Sequence, residues 1–399
     1  MELLQAGLLA AYLVAVSTPA DITAIQYSGD AEGALRAAEG LVAAQPTDTT
    51  ARLLAASAAI EAGRLGQARE HLRAVERHDR VPPRTAVLRA LLDRRVREPS
   101  GAMMEALAAA WNEAGRPDLR EDGSPLAWTP SAHTWTRELK ASERLLFRMP
   151  QGADERLAVA IAASREGKEA GSVAHWQVLG ALAHQECPGD PAPLNAAVER
   201  SFAIVKAAEP QNGYSELAVL VARCPRVLGA PELDRLEAAV RRQRFEYPRA
   251  QAFDELLRLA RGITPAPEQR PAAVSAWLAL DVGAFRLASL GEDQPDPRLR
   301  RRVGRVKEQV GLRLARGSAW LERLVGVSLA QRGAKLVGDE AHLAEVSAKV
   351  EEQRAEYQAW SVPYGQMGVW PFAAAWREWA PNEIEAGRAF LRAIGESPR

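Results

Sequence analysis

Gly29-Asp30-Ala31-Glu32-Gly33-Ala34-Leu35-Arg36-Ala37-Ala38 is answered, 34 positions on, by Gly63-Arg64-Leu65-Gly66-Gln67-Ala68-Arg69-Glu70-His71-Leu72. Gly29 recurs as Gly63, Ala34 as Ala68, Ala38 as Leu72 and Leu41 as Val75. A period of that length is one helix-turn-helix unit, which buries its apolar face only by stacking on a neighbour. The glycines mark turns, and Ala34, Ala38 and Leu41 fall on one helical side at i, i+4 and i+7. Pro46 stops that helix, and Thr47 to Thr50 supply a turn and a cap. A small-residue helix over 51–62 follows, carrying Leu53, Leu54 and Ile60. Before the first glycine, Thr18-Pro19 opens a short helix over 20–27.

On those residues the region resembles tetratricopeptide repeats (TPR). Gly29 and Gly63 stand at the turn between paired helices, and Ala34 and Ala68 at the small residue where the second helix approaches its neighbour. Ala38/Leu72 and Leu41/Val75 match the core positions that follow, and Pro46 the proline that closes the repeat. The pattern departs in the first helix. Arg52, Ala55 and Ala56 replace the Trp-x-x-Leu-Gly start, and Ala59 replaces a large aromatic. The resemblance covers about residues 20–80. A third unit, 84–94 then 101–114, fits helix-turn-helix without the motif. The resemblance implies an α-solenoid whose concave surface holds a peptide or a partner domain, hence a non-catalytic interaction or scaffolding protein.

The 399-residue chain balances 51 basic against 51 acidic residues, so no global field draws nucleic acid or anionic lipid. Arg greatly outnumbers Lys and Ala is abundant, a composition that favours helix. Two cysteines, Cys187 and Cys224, lack the spacing of a metal finger and read as packed thiols. The apolar run from Leu3 to Val16 is too short to span a bilayer, and no longer run exists. Ala15-Val16-Ser17 has the small-x-small form of a signal-peptidase site, but Glu2 stands where such signals carry a base. The expectation is a packed first helix in a cytoplasmic protein, with an exported, envelope-associated chain as the alternative.

Beyond residue 115, Arg-Pro-Asp, Glu-Asp-Gly-Ser-Pro and Trp-Thr-Pro-Ser make a boundary. Helical periodicity returns over 136–147, 154–163, 172–184 and 192–208, then 216–222, 231–245 and 251–261. Residues 262–267 read as a linker. Helices over 271–289, 296–316, 318–332 and 340–360 follow, with two short ones closing the chain. No β-branched alternation reaches strand length. The expectation is an all-α array of antiparallel helix pairs, TPR-like over 1–115, with a middle helical region over 133–262 and an irregular helical region over 271–399.

Motifs with a chemical mechanism are missing. The sequence has no phosphate loop, dinucleotide fingerprint or His-Glu-x-x-His. Gly213-Tyr214-Ser215-Glu216-Leu217 begins like a nucleophile elbow but lacks the second glycine and a preceding strand. His71 and His78 have no third ligand nearby, and His175, His184 and Cys187 read as groups around an apolar helix. No catalytic residue, metal or cofactor is expected. Two features remain as possible binding surfaces. Between 298 and 307 six of ten residues are basic, among them Arg298, Arg301, Arg302 and Arg305. They read as a solvated helix face or as a site for an acidic partner; without interleaved aromatics they speak against nucleic acid. The second feature is the C-terminal run of aromatics, with Tyr364, Trp370, Trp376 and Trp379 as the candidates. Phe372, Trp376 and Trp379 form one helical stripe, and Pro363 to Gly368 reads as a loop. This run reads as a cap on the array, or as a ligand pocket with Glu378 and Glu383 as polar contacts.

Overall fold

The computed structural model describes residues 17–27, 29–120, 175–176, 179, 192–223, 225, 228–247, 287–288, 292–368, 370–379 and 382–396. Among them are fourteen α-helices and no strand; Asn212 and Arg244 form an isolated bridge. The front of the chain is three antiparallel pairs: α1 (Pro19–Tyr27) with α2 (Ala31–Ala44), α3 (Thr49–Glu61) with α4 (Leu65–Val75), and α5 (Pro83–Arg97) with α6 (Met103–Glu113). The first helix of each pair also packs on the first helix of the next.

The repeat residues build these pairs as their chemistry requires. Gly29 and Gly63 take φ of +91° and +72°, a left-handed conformation that ends a helix and that glycine adopts without strain. After Gly63, the Arg64 amide reaches back to Ala59 O at 2.8 Å, which ties off the last turn of α3. Asp30 accepts from Gly33 N at 2.8 Å to cap α2, and Asp48 accepts from Thr50 N at 2.8 Å to cap α3. The alanines that displaced the repeat's large residues are all buried. Residues 53–60 of α3 are buried on every side, so this middle stretch of the helix has no solvent face.

After the array the chain continues as α7 (Ala192–Ala208), α8 (Tyr214–Ala222), α9 (Ala230–Val240), α10 (Pro297–Leu314), α11 (Trp320–Val337), α12 (Glu340–Met367), α13 (Ala373–Trp379) and α14 (Glu383–Ala393). Gly304 of α10 faces Gly333 of α11, and Gly311 faces Gly326, so the two helices run antiparallel with backbones in contact. A Cβ at Gly311 would lie 2.4 Å from Ala330 N, and one at Gly333 2.5 Å from Gly304 O. Helix α12 differs from expectation. The chain stays helical through Pro363 to Met367, and the loop expected at 363–368 shrinks to its end at Gly368, φ +70°. Trp360, Tyr364 and Met367 fall on one side at i, i+4 and i+7, and their packing outweighs the hydrogen bond that Pro363 cannot donate.

Two large hydrophobic clusters order the molecule. One joins α7, α8 and α9 to α10 and α11 through Leu217, Leu233, Val303, Val310 and Leu329. The other joins the front array to the chain's far end: Leu54, Ala59, Leu72, Leu88 and Trp111 share it with Trp320, Trp360, Phe372, Trp379 and Phe390. Trp111 stacks on Phe390 at 6.3 Å between ring centroids. No helix of the described residues is long and apolar enough to cross a membrane. The N-terminal run, the linker at 262–267, the helix expected at 251–261, both cysteines, His133 and His184 lie outside the described residues.

Candidate functional site

The face made by α1, α3 and α5 is where a helical-repeat array would seat a partner, and residues 370–379 of the same chain, packed on α6 and α14, touch it. Each of the three helices makes a specific contact. On α1, Tyr27 meets the half-buried Trp376 ring at 5.8 Å. On α3, Glu61 Oε1 accepts from Ala374 N at 2.8 Å while Oε2 accepts from Gln26 Nε2 at 2.9 Å. Gln26 also donates to Ser57 Oγ at 3.1 Å, joining α1 to α3 beneath the crossing segment. On α5, the fully buried Arg84 guanidinium lies 4.6 Å from the Trp370 ring and donates to Leu119 O at 3.2 Å.

Backbone amides fix the crossing in both directions. Helix α13 has seven residues, too few to stand alone, and its first-turn amides are capped by Glu61 from the array. In return Glu378 of α13 accepts from Met103 N at 2.7 Å and Met104 N at 2.8 Å. It thereby caps α6, whose own N-cap is Ala102 and supplies no acceptor. Glu383 does the same for α11, accepting from Trp320 N at 3.0 Å where the N-cap is Ala319. Arg116, held at φ +54°, reaches Glu396 at 2.7 Å and the Ile394 carbonyl from the end of the array.

Under this crossing the aromatics form one stack. Trp360 lies 4.7 Å from Trp379 and 4.9 Å from Tyr364, and Tyr364 lies 5.1 Å from Trp379. Burial raises the phenols of Tyr27 and Tyr364, the latter to about 12. Burial likewise pushes the Glu61 carboxyl up to about 7, against the opposing pull of its amide donors and of Arg377.

Of the residues singled out in the sequence, Tyr364, Trp370 and Trp379 sit in this core and Trp376 at its edge. Glu378 and Glu383, expected as polar contacts of a pocket, are spent on helix amides. The basic run divides. Arg302 is held by Glu237 at 2.8 Å and by Asp234, whereas Arg298, Arg301 and Arg305 are exposed along α10 with no ion pair among the described residues. Ser215 is buried at the start of α8 and donates to Asn212 O at 3.0 Å, an internal turn contact in place of a nucleophile elbow. His175 is buried near Ser201, and His71 and His78 do not share a helix face because α4 ends at Val75. No metal-binding cluster occurs among the described residues.

Sequence reading passed over Glu61, Gln26, Tyr27 and Arg84. One signal existed: Glu61 closes a helix at its C-terminal end, where a negative charge opposes the helix dipole. An acid placed there has a tertiary reason.

Residues 27–92 match the family model of the tetratricopeptide repeat. The front of the chain is TPR-like. The match takes in the turn at Gly29, the second pair and α5 as far as Leu92, so the repeat signal runs into the third pair. No curated protein and no solved structure matches the chain. TPR repeats generally mediate protein-protein interaction, and in this TPR-like array the face built from first helices carries a segment of its own chain.

Proposed function

We propose that this is a non-catalytic protein that binds a protein partner on its helical-repeat surface. The observation that carries the reading is the TPR-like face itself, which holds a polypeptide by its backbone amides through Glu61 and by its aromatic side chains through Tyr27 and Arg84. A scaffolding role also draws support from the stripe of Arg298, Arg301 and Arg305, which lie at spacings of three and four on α10 and so share one side. An acidic partner would meet three guanidinium groups there that have no ion pair among the described residues.

The test is cross-linking of the full-length protein inside its native host, with mass spectrometry of the linked peptides. The expected result is a recurrent partner linked to the array or to α10, with α10 links lost in a variant carrying R298E, R301E and R305E. A chain that yields links only to itself overturns the proposal.

A further inference from the structure

We infer that residues 370–379 are a built-in occupant of the array face, and that a partner polypeptide of the same chemistry exchanges with them. The inference rests on the partner-binding reading above and names what the partner looks like. The occupant is Trp370-Pro371-Phe372-Ala373-Ala374-Ala375-Trp376-Arg377-Glu378-Trp379. It enters as a non-helical Trp-Pro-Phe lead and becomes a helix at Ala373. Pro371 restricts that lead before docking, which lowers the ordering cost of a bound peptide. The lead puts Trp370 against Arg84, and the helix start presents its amides to Glu61. One turn later Trp376 meets Tyr27, and Glu378 reaches the amides of Met103 and Met104. A competitor therefore carries an aromatic lead, small residues at a helix start, and an acid one turn on.

Three features make the segment exchangeable. Its helix is below the length that is stable in water, so it is ordered only while docked. The acceptor for its first-turn amides, Glu61, comes from outside the segment, and a peptide with free first-turn amides can satisfy it in the same way. Trp376 is half-buried at the edge, beside the exposed Arg377 and Glu378, which gives an invading peptide a place to begin. The rest of the far end has further ties to the array and to α11, through Phe390 on Trp111 and Glu383 on Trp320 N, while Trp379 of the segment stacks on Trp360 and Tyr364.

The experiment uses the full chain. Hydrogen-deuterium exchange at neutral pH is expected to show amides of 373–379 opening at least about 100-fold more often than those of α3. A synthetic, end-capped peptide of residues 370–379, carrying a fluorophore, is expected to bind Trp376→Ser at least about tenfold tighter than the unaltered chain. Circular dichroism confirms that this variant is folded, and Glu378→Gln serves as a second, milder variant. Equal protection of 373–379 and α3 overturns the inference, as does failure of the peptide to bind either folded variant. Neither result touches a partner cross-linked to α10 or to the outer helices. Conversely, peptide exchange without any cross-linked partner overturns the functional reading and leaves the exchange standing.

Discussion

Glu61 is the residue at which local and tertiary demands conflict most. The helix dipole and burial both oppose its negative charge, while the amides of Ala373 and Ala374 and the side chain of Gln26 favour it. Burial wins, and the carboxyl titrates at about 7 instead of 4.5. The folded state therefore holds this proton more tightly than the unfolded chain. Its contribution to stability is full below pH 4.5, declines as pH rises, and levels off above about 7. Over that window the loss is roughly 3 kcal/mol at most. Urea denaturation of Glu61→Gln between pH 4.5 and 8 is expected to remove this slope. An unchanged slope would place the titration elsewhere. Histidine shows the two opposite outcomes. The His342 ring is raised by its 2.6 Å bond to Glu308, while burial lowers His71 and His175. A proton-NMR titration should find His342 above 6.5 and the other two below it. The His342–Glu308 ion pair is then lost as pH rises through the folded value of His342.

At the scale of elements, glycine position separates contact from convenience. Gly311 and Gly40 both lie inside helices, yet a Cβ at Gly311 meets backbone at 2.4 Å and one at Gly40 meets nothing within 4 Å. Gly40→Ala should stabilise by about 0.5–1 kcal/mol through helix propensity. Gly311→Ala gains the same term and loses about 1–3 kcal/mol to overpacking between α10 and α11, for a net loss. Chemical denaturation of the pair decides this by sign alone. The remote caps offer a second check. Glu378→Ala leaves the first two amides of α6 without their acceptor and should cost about 0.5–2 kcal/mol. The unfolding midpoint in urea measures it. None of these caps is readable locally, because the positions before α6 and α11 are Ala102 and Ala319 and their acceptors lie more than sixty residues away.

For the molecule as a whole, the second cluster makes the two ends of the chain one folding problem. Trp111 closes α6 on one side and Phe390 closes α14 on the other, with both rings fully buried. Phe390→Ala should cost about 3–5 kcal/mol, since it leaves a cavity between the array and the far end. Hydrogen exchange should then show α6 losing protection together with α14. Loss confined to α14 would show that the array folds independently of the far end.

The sequence by itself determined the class and the period. Gly29 and Gly63 can adopt their turns wherever they sit, the caps Asp30 and Asp48 act within three residues, and an apolar stripe at i, i+4, i+7 has one helical reading. Those are local properties, so they could be read before any contact was known. What covers α1, α3 and α5 was decided only in three dimensions. Ala55, Ala56 and Ala59 read in sequence as a weakened repeat motif; in the fold they belong to the same cluster as Phe372 and Trp379, more than three hundred residues on. Small residues leave room without stating what fills it. Pro363 likewise reads as a break until Trp360, Tyr364 and Met367 are seen packed on one side of an unbroken helix. Docking of distant segments depends on burial and on amide acceptors supplied from elsewhere, and neither leaves a period in the chain.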